Sequence, residues 1–161
     1  TAFYFCINFF VKRKYPLYFK LINLFLLFLG LYFLSVKGLE LIPEGVGQMY
    51  FAATKEAPAN IFSIRNLGLI IISSMGLYYS KKMPDQANSW LSISLFGILV
   101  YYSMSNLTLL SYRFLFASTF SYLLWIDYLP KNARLLSKIL LIIISLISLY
   151  LYSTGSFFAS Y

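Results

Sequence analysis

Two arginines offer the chemistry this sequence can supply. Arg65 and Arg113 each lie in the first turns of a long apolar segment, residues 61–79 and 109–128. A guanidinium keeps its charge and pairs with phosphate oxygens in a fork geometry. A helix start adds free N–H groups and the positive end of the helix dipole, both of which favour an anion. A charge at membrane depth is costly unless paired or hydrated, which marks both residues as functional candidates. At a similar depth in one cleft they would suit a lipid-linked phosphate or diphosphate. Arg113 sits among Leu109, Leu110, Phe114, Leu115 and Phe116 with no acidic residue close in sequence. It is the candidate catalytic residue, with Arg65 as a substrate-binding partner. The ordinary alternative for both is snorkelling to lipid headgroups.

The carboxylates that could work with them lie in the polar stretch 37–60, which holds Glu40, Glu44 and Glu56. Each is a candidate general base or a ligand for sugar hydroxyls. The competing reading is a solvated loop carboxylate. Glu44, Glu56 and Tyr50 join Arg65 as candidate substrate-binding residues, Tyr50 by covering a cleft. Asp127 is expected to pair with Lys131. With no histidine in the chain, the commonest general base and metal ligand is missing, along with every Ser-His-Asp arrangement. A single cysteine, Cys6, rules out an intrachain disulfide and a multi-thiolate metal site. No metal and no cofactor is required by these residues.

The elements that position these groups are legible from charge. Nine of the thirteen basic residues fall on alternate breaks between apolar runs: Lys12, Arg13, Lys14 and Lys20, then Lys81 and Lys82, then Lys131, Arg134 and Lys138. The other breaks hold Lys37, Lys55, Arg65 and Arg113. This is the positive-inside pattern of a helical membrane protein. A composition of 60% hydrophobic and 11% charged residues agrees with it, because a soluble domain carries about 25% charge. The net charge of +8 does not indicate nucleic acid, because it is spread along membrane edges and not gathered on one face. The run 139–144 lacks the alternation of a transmembrane barrel.

The expected architecture is therefore all-α and polytopic, a single integral membrane domain over residues 1–161. Residues 1–11 read as the end of a helix whose start is missing, making the chain the C-terminal part of a longer protein. Five complete spans follow, at 17–36, 61–79, 88–104, 109–128 and 135–152. The break at 103–111 is inferred because 89–129 is too long for one span and right for two. Lys20 is expected to snorkel to the cytoplasmic interface. Pro43 and Pro58 bracket residues 44–57, where Val46, Met49, Tyr50, Ala53 and Ala57 repeat at helical spacing. This predicts a short amphipathic helix on the outer surface. Gly68 and Gly76 would admit a close helix neighbour. The tail 153–161 lies outside. Asn106-Leu107-Thr108 matches a glycosylation sequon, which matters only in a eukaryotic secretory setting.

The run Asn106-Leu107-Thr108-Leu109-Leu110-Ser111-Tyr112-Arg113-Phe114-Leu115-Phe116 resembles the C-terminal part of EpsG-type and Wzy-type bacterial polysaccharide polymerases. In these an Arg follows an outward turn and opens a late helix, before a basic cytoplasmic turn and a final span. Residues 130–138 and 135–152 follow that layout, and residues 15–66 are consistent with it. The resemblance implies a glycosyltransferase of the bacterial inner membrane that joins undecaprenyl-diphosphate-linked repeat units of O-antigen, capsule or exopolysaccharide. Other polysaccharide-assembly proteins would be its partners, besides membrane lipid. Arginines would stabilise charge on the departing diphosphate, and a carboxylate would activate the attacking sugar hydroxyl. Two alternatives stay open: a polysaccharide flippase or other transporter, and a membrane subunit without chemistry, which would leave Arg113 facing lipid.

Overall fold

The computed structural model describes residues 2–12, 15–40, 63–105 and 108–153. Among them every regular element is helical: α1 (Ala2–Lys12), α2 (Leu17–Glu40), α3 (Ile64–Tyr79), α4 (Asp85–Ser103), α5 (Thr108–Trp125) and α6 (Lys131–Ser153). Single 3-10 turns, Ser80–Lys82 and Ile126–Tyr128, close α3 and α5. Prolines punctuate the starts. Pro16, Pro84 and Pro130 stand just before α2, α4 and α6, where a missing N–H costs nothing. Their carbonyls accept the first helical bonds, from Lys20 N at 3.3 Å, Asn88 N at 3.0 Å and Arg134 N at 2.8 Å. The expected helix at 44–57, and with it Glu44, Tyr50 and Glu56, lies outside the described residues.

α4 is the hub. It packs against α5 most extensively and also against α1, α2 and α3, while α6 leans on α3. Cross-helix bonds show a strict up-and-down course. Ser35 near the end of α2 donates to Ser103 O at the end of α4, while Lys20 near the start of α2 reaches Ser80 beyond the end of α3. The seam between α4 and α5 is built from small residues. A Cβ on Gly97 would collide with the Ser118 hydroxyl and its Cβ, so the two backbones approach as small residues allow. The expected close approaches occur as well. A Cβ on Gly68 would meet Ile144 Cδ1 at 2.6 Å, and one on Gly76 would meet Leu91 and Trp125 at 2.7 Å. Hydroxyls at this level bond across the core: Ser73 with Tyr122 at 2.6 Å, and Trp125 Nε1 to Ser94 at 2.9 Å.

Two stretches, Leu17–Lys37 and Lys131–Tyr150, are long and apolar enough to cross a membrane. Only 22% and 11% of those windows is buried, so they are not the enclosed core helices of a water-soluble bundle. Phe25, Phe33, Leu146 and Leu149 are each more than half exposed, a surface suited to hydrocarbon. The expectation of five complete spans is met at this level for two. α3 has 16 residues, about 24 Å against a hydrocarbon core of about 30 Å. α4 and α5 carry serines and tyrosines through their length.

Candidate functional site

The site forms where α3 begins, α4 ends and α5 begins. Ser63 caps α3 with extended backbone, its hydroxyl accepting from Asn66 N at 3.3 Å. This places Arg65 and Asn66 in the first helical turn, where the dipole is positive. The half-buried Arg65 guanidinium lies 5.6 Å from the Tyr112 ring centre and 5.1 Å from that of Phe116. These rings are four residues apart on α5 and so form one face. A ring face attracts the cation by roughly 0.5–2 kcal/mol, more as the pair is desolvated.

The platform is itself held in place. Asn66 Nδ2 donates to Tyr101 Oη at 2.9 Å, and Tyr101 donates onward to Tyr112 Oη at 3.1 Å. The two tyrosine rings meet edge-on at 5.2 Å. Asn66 and Tyr101 are buried, so three helix ends are tied by one polar chain. Beside it opens a cavity of about 500 Å³ walled by Arg65 and Leu69 of α3, Phe116 and Thr119 of α5, and Ile144 and Ser148 of α6. Phe116 and Leu149 on its rim are 47% and 64% exposed, so it opens sideways, toward the apolar face of α6.

Arg113 is placed differently from the expectation. It is exposed and does not line this cavity. A step of about 100° per residue carries it off the Tyr112 face. The arginines share one end of α5, since Arg65 stands over the residue next to Arg113, but the cavity takes in Arg65 alone.

A second polar cluster occupies the opposite end, where α3 stops. Lys20 is 1% exposed. Its ammonium donates to Val11 O and to Ser80 Oγ, both at 2.8 Å. Val11 is in the last turn of α1, where carbonyls lack helical partners and a cation is favoured. Ser80 in turn donates to Leu77 O at 2.6 Å, and Asn88 Nδ2 donates to Ser80 O at 3.0 Å. Lys20 therefore does not snorkel to an interface. It is enclosed, because α1 and the α3–α4 turn close over it. Asp127, expected to pair with Lys131, pairs instead with Lys138 at 2.5 Å, while Arg134 donates to its carbonyl at 3.3 Å. Because α6 is already helical from Lys131, the side chains of Arg134 and Lys138 reach back over the turn. The Lys138 ammonium holds the Asp127 carboxyl below its usual range.

The two clusters lie at opposite ends of α3, and the described basic residues divide between them. Lys12, Lys20, Lys81, Lys82, Lys131, Arg134 and Lys138 gather at the Lys20 end, and Lys37, Arg65 and Arg113 at the other. Among the described residues no three His, Cys, Asp or Glu side chains are grouped to hold a metal ion. Sequence reasoning missed Asn66, Tyr101 and Tyr112. An asparagine inside an apolar run was a signal for the first. The tyrosines carried none, because the chain holds fifteen.

Comparison of the chain with protein-family models, with curated proteins and with solved structures gives no match.

Proposed function

We propose that the chain is the membrane-embedded part of a glycosyltransferase that polymerises oligosaccharide repeat units carried on undecaprenyl diphosphate. The observation that supports this reading is the Arg65 guanidinium, held at a helix start over two rings and walling a mostly apolar, sideways-open cavity. That combination suits a diphosphate whose lipid tail stays in the bilayer. In this reading the helices from α2 to α6 are five spans of a bacterial cytoplasmic membrane. The Lys20 end is cytoplasmic and the Arg65 end faces outward. Arg65 binds the diphosphate and stabilises the charge that develops as it departs. Arg113, exposed beside Tyr112, meets it from outside the cavity. Glu44 or Glu56 takes the proton of the attacking hydroxyl.

The exposed position of Arg113 favours a second reading, a membrane subunit without chemistry. Polymer-length analysis in cells carrying the intact protein separates the two. Arg65→Ala should abolish long polymer at unchanged protein level, and Arg65→Lys should restore little, because the fork geometry is lost. Normal polymer length from Arg65→Ala would remove the catalytic reading.

A further inference from the structure

A second groove runs between α5 and α6 at the end opposite Arg65. The two helices scarcely touch along their lengths, leaving a space of about 420 Å³ walled by Leu123, Ile126, Leu141, Ile142 and Leu146, with Asp127 and Lys138 at its mouth. Its wall is turned outward: Leu123, Ile142 and Leu146 are 65%, 59% and 60% exposed. Ser145 lines both this groove and the Arg65 cavity.

The mouth is strongly cationic. Lys131, Arg134 and Lys138 follow one another at helical spacing on α6, and the same stripe continues as Leu141 and Ser145. Asp127 is the one carboxylate among them in the described residues, and its bond to Lys138 joins two side chains that are both about half exposed. Such a pair is weak, and an ammonium has three donors, so Lys138 can bind a second anion alongside Asp127. Cations at one end of an apolar stripe match a molecule with an anionic head and a hydrocarbon tail.

We propose that this groove binds an anionic phospholipid of the leaflet at the Lys20 end. Its phosphate sits among Arg134, Lys138 and Lys131, and one acyl chain lies along Leu123, Leu141 and Ile142. The site is separate from the diphosphate reading at Arg65 and does not depend on it. Charge complementarity selects this occupant over a neutral lipid, because the three cations face one carboxylate.

The test uses the intact protein reconstituted in bilayers of equal phosphatidylglycerol and phosphatidylcholine, then released for native mass spectrometry of retained lipid. The unmodified protein should keep phosphatidylglycerol preferentially. An Arg134→Ala, Lys138→Ala double variant should lower that retention about tenfold or more. Ile142→Trp, which fills an exposed groove wall without removing charge, should lower it comparably. Lys81→Ala, a cation that does not line the groove, should leave it unchanged, and thermal unfolding should report a normal fold throughout. Undiminished retention in Ile142→Trp would overturn the site, since only general surface charge would then be at work. Equal loss in Lys81→Ala would overturn it on the same ground. So would an unmodified protein that carries a second copy of the chain in place of lipid.

Discussion

Lys20 and Arg65 are both cations within apolar helices, and the fold treats them in opposite ways. The Lys20 ammonium is closed in by α1 and the α3–α4 turn and bonded to a helix-end carbonyl and a hydroxyl. It ties the last turn of α1 to the turn after α3. Arg65 is held by ring faces and borders a cavity that opens sideways. A cation within an apolar helix is therefore not one signal. The Lys20 ammonium is shut inside the bundle, whereas Arg65 borders an open volume.

The sharpest way to break this contrast is to remove each cation in turn. Lys20→Ala deletes two charge-assisted bonds and strands the Val11 carbonyl, so it should cost about 3 kcal/mol of stability. Arg65→Ala should cost less, because half-buried Arg65 borders an open cavity whereas Lys20 is enclosed. Chemical unfolding in detergent measures both, and equal losses would erase the distinction. Gly97→Ala lies between the two clusters and should cost about 1–3 kcal/mol, because the added methyl meets Ser118. It should leave the difference between the two ends intact, as judged by repeating both cation variants in its background.

A smaller effect is expected at the ring platform. Tyr112→Leu removes a ring face from Arg65 and the bond from Tyr101, and should weaken pyrophosphate binding more than Tyr112→Phe, which keeps the face. Isothermal titration with pyrophosphate would read the order, and equal effects would show that the face contributes nothing.

The smallest effect concerns Asp127. Lys138, hydrogen-bonded to it, lowers its folded pKa. Its contribution is therefore present above the unfolded value of about 3.9, and is lost as pH falls through the depressed folded value. Both partners are about half exposed, so the change should be slight and shrink with salt. Asp127→Asn should flatten that part of a stability–pH curve.

Much of the helical layout was legible in residue order. The Lys81-Lys82 and Lys131–Lys138 clusters marked breaks between apolar runs. Gly68 and Gly76 were read as close approaches, and both are. The site was legible only in part. Arg65 was picked out by its charge and position, but Arg113 looked equivalent by the same criteria. What separates them is rotation about a helix axis and the presence of a third helix, neither of which appears in hydropathy.

The sequence by itself determined that the chain is helical, that its charges divide between two sets of breaks, and where most helices begin and end. These follow from local causes: apolar runs that must bond their own backbone, prolines that lack an N–H, and basic residues that collect at the breaks between apolar runs. Only the tertiary structure decided that Lys20 is enclosed, that Asp127 takes Lys138, that Asn66, Tyr101 and Tyr112 form one chain, and that Arg65 rather than Arg113 faces the cavity. Each of these depends on which faces of distant helices meet. The packing of α4 against its neighbours settles that, through small residues such as Gly97 that let some backbones close together while α5 and α6 stay apart.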